Sequence, residues 1–144
     1  MKLKKILPPL LMLALMASFL IYYYYPHDLE DLVGSLPETT QETRLEIWRS
    51  ESLLEPAELL TTKKGSRASD VLDFLNQYQY KRTSTNFSAL DGELMYNIKF
   101  YEGDKETFRM VIRGEEHVSL FNKQGRWTLY KTTEPLDLSV IQSF

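Results

Sequence analysis

The chain contains no cysteine. That absence excludes a disulfide scaffold, a thiolate zinc site, a cysteine nucleophile and a lipid-anchoring cysteine. It leaves export open, because an exported domain can fold without disulfides. Histidine is almost as scarce, with only His27 and His117. A metal site needs several ligands at defined spacing. His27 has only Asp28, Glu30 and Asp31 beside it, a cluster that solvation alone explains. A serine hydrolase needs a base, and His117 is the sole candidate. It falls in an expected strand, and no G-x-S-x-G sequence occurs anywhere. There are six glycines, and none forms a phosphate-binding loop. No cofactor, no metal and no catalytic residue is expected.

Charge is missing from one place in particular. Residues 6–25 read ILPPLLMLALMASFLIYYYY, twenty positions without a charged side chain. As a helix this run spans about 30 Å, the thickness of a bilayer's hydrocarbon core. Pro8 and Pro9 fall in its first turn, where a missing N–H costs least. Residues 1–5 form a basic flank with Lys2, Lys4 and Lys5, while acids follow the run. Lysines stay on the cytoplasmic side, so the C-terminal part is expected outside the cytoplasm. Tyr22, Tyr23, Tyr24 and Tyr25 suit the outer membrane interface, with rings in the acyl boundary and hydroxyls in water. A cleaved secretory signal is the competing reading. Ala14, Ala17 and Ser18 offer no good cleavage pair, and the apolar run continues past them. An uncleaved single-pass signal-anchor, with the lipid bilayer as partner of residues 6–25, is the expectation.

The formal net charge is −3. Taking the three N-terminal lysines from the 17 basic residues leaves 14 against 20 acidic ones, or −6. An acidic domain repels polyphosphate, which argues against nucleic acid as a partner. Residues 26–41, with Leu29, Leu32 and Val33 in brief helical spacing before Gly34 and Pro37, read as a juxtamembrane linker made of a short helix and a polar spacer.

Residues 42–144 read as one α+β domain. TRLEIWRS alternates as a half-buried strand, with Leu45 and Ile47 on one side and Trp48 on the other. ELLTT, residues 58–62, is a return strand or a loop. Residues 63–66 read as a turn. SRASDVLDFLNQYQYKR follows as a helix, with Val71, Leu72, Phe74, Leu75 and Tyr78 on one face. Ser66 or Ser69 can cap it, and Lys81 and Arg82 suit its negative end. From Leu94 the period becomes two. LMYNIKFY, TFRMVIR, a strand marked by Val118 and Leu120, and RWTLYK are separated by short turns, which favours an antiparallel meander. PLDLSVIQSF can dock as a last helical turn. The expected architecture is one antiparallel sheet with the helix of residues 69–80 packed on one face.

Trp48, Tyr101, Val111 and Tyr130 are expected on the other face. They mark a partner surface, or they cover sheet edges and pack under the C-terminal tail, the commoner fate of scattered aromatics. Asn86-Phe87-Ser88 has the form of a glycosylation acceptor, a pattern common by chance.

The order of these elements, with YQYKRTS, YNIKFYEGDKETFRMVI and a strand ending WTLYKT, resembles small uncharacterised extracytoplasmic domains of membrane-anchored proteins and lipoproteins from Bacillus-type Gram-positive bacteria. The resemblance covers about 100 residues and implies location and fold. Relatives of this sort often carry a lipid-anchoring cysteine, which this chain lacks. The functional expectation is a non-enzymatic binding module whose partner is an envelope protein or peptide. The alternatives are a regulatory subunit contacted through the membrane helix, and a carboxylate-dependent envelope hydrolase using Glu115, Glu116 or Asp91.

Overall fold

The structure, a computed structural model, describes residues 3–51, 55–86, 90 and 92–144. Met1 and Lys2 of the basic flank, Phe87 and Ser88 of the glycosylation-like triplet, and Asp91 lie outside the described residues. The first helix, α1 (Leu3–Tyr24), has 22 residues, about 33 Å at 1.5 Å per residue. Its Leu7–Tyr24 stretch is long and apolar enough to cross a membrane, and no residue of it is buried in the fold. The helix begins before the uncharged run, so Pro8 and Pro9 fall in its second turn rather than its first.

A five-residue helix follows, α2 (Leu29–Val33). After it come β1 (Thr43–Ser50), β2 (Glu58–Lys64), α3 (Ser66–Asn76), β3 (Tyr80–Arg82) and β4 (Met95–Glu102). The chain finishes with β5 (Lys105–Arg113), β6 (His117–Phe121), β7 (Trp127–Thr132) and α4 (Leu138–Ser143). The class is α+β. Seven strands form one antiparallel sheet in the order β2-β1-β4-β5-β6-β7-β3. The β4–β5 connection is Gly103-Asp104, and Gly103 takes φ 61°. Glycine enters that region without a Cβ clash, which suits a two-residue hairpin.

Period-two alternation gives the sheet one oily face. Leu45, Ile47, Tyr96, Ile98, Phe100, Met110, Ile112, Val118 and Leu120 are all fully buried on it. Helix α3 covers this face with Ala68, Val71, Leu72, Phe74 and Leu75. The C-terminal tail covers it too: Leu136 and Ile141 join the same core, and Gln142 Nε2 donates to Tyr96 Oη at 2.7 Å. Asp137 caps α4 by accepting from Ser139 N.

The main helix differs from expectation at both ends. Its N-cap is Gly65, with no side-chain cap from Ser66 or Ser69. It stops at Asn76, and residues 80–82 form the edge strand β3 against β7. Lys81 and Arg82 therefore do not serve the helix dipole. Tyr80 is the cause: its ring is fully buried, and its Oη donates to the helix carbonyl of Leu75 at 2.5 Å. Its backbone N–H and C=O also bond His27 in both directions, each at 2.8 Å.

Burial, with Tyr78 close by, pushes the Tyr80 phenol well above its ordinary value. The folded state holds this proton while the unfolded chain releases it at about pH 10. The stability that Tyr80 contributes is thus fully present below about pH 10 and is lost as pH rises beyond it. Tyr80→Phe is expected to cost about 0.5–1.5 kcal/mol at neutral pH, through the lost hydrogen bond. It should also flatten the alkaline fall in stability. Urea midpoints taken from neutral pH to about pH 11 check both effects, and an unchanged alkaline slope would contradict the second.

Residues 26–41, expected as a linker, enter the domain core. Leu29 is fully buried and Leu32 nearly so. Leu32 O accepts from Lys123 N at 2.9 Å, fastening α2 to the β6–β7 turn. That turn is organised by the buried Asn122, whose Oδ1 accepts from the N–H groups of Gln124 and Arg126.

Candidate functional site

The second face of the sheet carries the odd-numbered positions of β4, β5 and β6, and the even-numbered ones of β1. Strand register lines up Trp48 with Asn97, Glu46 with Lys99, and Arg44 with Tyr101. It then sets Asn97 beside Val111, Lys99 beside Arg109, and Val111 beside Ser119. Both α3 and the tail lie on the opposite face, so neither covers these residues.

Of the aromatics expected here, Trp48 and Tyr101 are present and half-buried, with Val111 between β4 and β6. Tyr130 is not among them. It pairs with Val118 on the inner face and is 1% exposed. Trp127 and Leu129 hold the outer positions of β7 instead. The alternation of RWTLYK separates Tyr130 from Trp127 and Leu129, but it does not say which side is the core.

The rings on this face hold cations. The Arg44 guanidinium lies 4.7 Å above the Tyr101 ring, and Lys99 Nζ lies 5.5 Å above Trp48. Glu46 accepts from Trp48 Nε1 at 3.1 Å and pairs with Arg44 at 3.4 Å. Arg109 pairs with Glu106. Partial burial raises the Tyr101 phenol above its ordinary value, the carboxylates of Glu46 and Glu106 add to the rise, and Arg109 and Arg44 offset part of it. Arg44, Lys99, Arg109 and Arg113 thus outnumber Glu46 and Glu106, although the domain as a whole is acidic.

Two adjoining hollows run across the face. One of about 270 Å³ is lined by Trp48, Met95, Asn97, Val111 and Arg113, with Glu55 and Ala57 at its rim. The other, about 200 Å³, is lined by Arg109, Val111, Arg113, Ser119 and Trp127. They share Val111 and Arg113, so together they form a single groove. Asn97 Oδ1 and Ser119 Oγ are buried in it without a hydrogen-bond partner among the described residues. Buried polar atoms are normally satisfied, so two orphans in one groove suit a ligand with its own donors and acceptors. Asn97 and Ser119 drew no attention in the sequence because small polar residues on an outer strand face are ordinary. Only the register brings them together.

The carboxylates considered for hydrolysis lie elsewhere. Glu116 accepts from Lys131 Nζ at 2.7 Å. That hydrogen bond, with the charges of Lys131, His117 and Lys81, holds Glu116 below the usual carboxylate range. A carboxylate so held is a weak base at neutral pH. Glu115 is exposed, and its backbone carbonyl accepts from Leu136 N. Among the described residues, no three His, Asp or Glu side chains gather as metal ligands would. His117 sits on β6 in register with Arg113 and Lys131. His27 belongs to a different region, where α1 meets the domain.

At that junction the four tyrosines divide. Tyr23 turns toward the domain: its ring lies 4.5 Å beneath the Arg82 guanidinium, and its Oη accepts from Arg82 Nη1 at 2.9 Å. Tyr22, Tyr24 and Tyr25 remain exposed.

These features define an α+β domain with an uncovered, cation-bearing sheet face, carried behind an N-terminal candidate membrane-spanning helix. No family model, curated protein or solved structure matches the chain.

Proposed function

We propose that this protein is a single-pass membrane-anchored binding module without enzymatic activity. In this reading α1 is an uncleaved signal-anchor with its N-terminus in the cytoplasm, and the α+β domain stands outside it. The outer sheet face takes an extended, acidic segment of an envelope protein. The observation that carries the reading is the outer-face groove, in which Trp48, Val111 and Trp127 offer apolar surface beside Arg109 and Arg113. Apolar anchors supply affinity, while a cation-bearing rim selects acidic partners and speeds encounter. The resemblance to extracytoplasmic domains of Gram-positive envelope proteins supports the same location.

Full-length protein in detergent micelles can be offered an immobilised peptide library rich in Asp and Glu, and the same library with Asn and Gln in their place. The acidic library should be retained selectively. Lys99→Glu with Arg109→Glu should weaken retention by at least about tenfold. Equal retention of both libraries would remove the acidic partner from the proposal.

A second reading rests on α1. Every side chain from Leu7 to Tyr22 is exposed, so the whole circumference is open to lipid or to a neighbouring helix. A regulatory subunit could use that surface. Replacing residues 6–21 with an unrelated apolar helix separates the two readings: retained function sinks the second.

A further inference from the structure

The end of α1 and the domain enclose a hollow of about 320 Å³, separate from the outer-face groove. Its walls include Tyr22, Tyr23, His27, Asp31, Arg82 and Lys123. It opens where the apolar stretch Leu7–Tyr24 ends. If α1 crosses a bilayer, this hollow lies at headgroup depth. The inference therefore rests on the anchor reading.

The cations are held there by the fold. Arg82 lies on edge strand β3, stacks on the Tyr23 ring and donates Nη1 to its hydroxyl. Lys123 sits in the β6–β7 turn, whose backbone is fastened to α2 through Leu32 O. Lys123 is exposed and makes no ion pair among the described residues. His27 is pinned by its two backbone bonds to Tyr80, with its ring Nε2 3.3 Å from Tyr22 O. Among the described residues, Asp31 is the one carboxylate on the wall, against two permanent cations.

A guanidinium and an ammonium facing one hollow suit an oxyanion, and an arginine fork suits phosphate in particular. Tyrosine rings flank the acyl boundary below it. At headgroup depth the phosphate within reach of such a pair is that of a lipid. We propose that the hollow binds the phosphate of an anionic glycerophospholipid, with Arg82 and Lys123 donating to its oxygens. Binding there would add a lipid contact to the bonds that already hold the domain at the end of α1.

Native mass spectrometry of full-length protein in detergent tests this with three probes: phosphatidylglycerol, phosphatidylcholine and inorganic phosphate. One phosphatidylglycerol should be retained per chain, more tightly than phosphatidylcholine. Lys123→Gln should lower that affinity about fivefold, and Lys123→Gln with Arg82→Gln about 25-fold, from the contribution of each cation at an anionic surface. Lys64→Gln, exposed on β2 at the opposite edge of the sheet from β3, should change nothing. Lys123 is exposed, so the single variant keeps the test sound even if the double variant fails to fold. Unchanged lipid affinity in Lys123→Gln would overturn the proposal. So would variant-sensitive binding of inorganic phosphate alongside lipid binding that ignores both substitutions. A chain that washes out of membranes would fail the anchor reading instead, which is a different result.

Discussion

A chain that begins at residue 42 is expected to unfold, while one that begins at residue 26 folds. The difference lies in residues 26–41. Leu29 is fully buried and Leu32 is 8% exposed, both inside the cluster that includes α3 and the sheet. Truncating one buried leucine to alanine costs about 2–5 kcal/mol, so losing both removes roughly 4–10 kcal/mol. A domain of this size has only about 5–15 kcal/mol in total. The shorter chain also loses both backbone bonds between His27 and Tyr80, and the bond from Lys123 N to Leu32 O. Those losses leave β3 with β7 as its one strand partner and free the β6–β7 turn. Leu29→Ala in the 26–144 chain is the milder form of the same test, with an expected loss of about 2–5 kcal/mol. Urea unfolding followed by the fluorescence of Trp48 and Trp127 measures both. If the 42–144 chain proved as stable as the 26–144 chain, residues 26–41 would be a mere tether.

Full-length protein is expected to remain in the membrane fraction through high-salt and alkaline washing, whereas the 26–144 chain is released entirely. Salt removes proteins held by charge, and alkali removes those held by contact with other proteins. A helix with twenty uncharged residues is held by the transfer of its side chains out of water, which neither treatment weakens. The fold leaves that surface open, because no residue of Leu7–Tyr24 is buried and the contact of Tyr23 with Arg82 lies at its very end. Alkali also begins to withdraw the stability supplied by Tyr80. Retention at high pH would thus report the helix rather than the folded domain. A mature chain that began near Ser18 and washed into solution would contradict the anchor.

Much of the fold is legible in local spacing. Alternation marks β1 and β4 to β7, since a strand's side chains repeat every second residue whatever lies around it. The apolar stripe from Val71 to Leu75 marks α3 in the same way. Three features escape local spacing. By local spacing the helix runs on to Arg82, because Tyr78 continues its apolar face, and only the pairing of Tyr80 with His27 and Thr132 ends it. The spacing of Leu29, Leu32 and Val33 marks the short helix α2, but a single turn carries no signal that it packs into the core of the domain rather than lying in a linker. Tyr130 stands opposite Trp127, but period two sets relative facing and leaves the choice of side to the packing of α3 and the tail.

The sequence by itself determined the apolar helix, the acidic domain behind it and the strands, because composition and short periods are properties of neighbouring residues. Only the tertiary structure decided the outer-face groove and the hollow at the end of α1. One needs Asn97, Val111 and Ser119 brought into register across three strands. The other needs Tyr23, Arg82 and Lys123 gathered from a helix, an edge strand and a turn. Such residues become neighbours only when the chain closes long loops, and no local pattern records that.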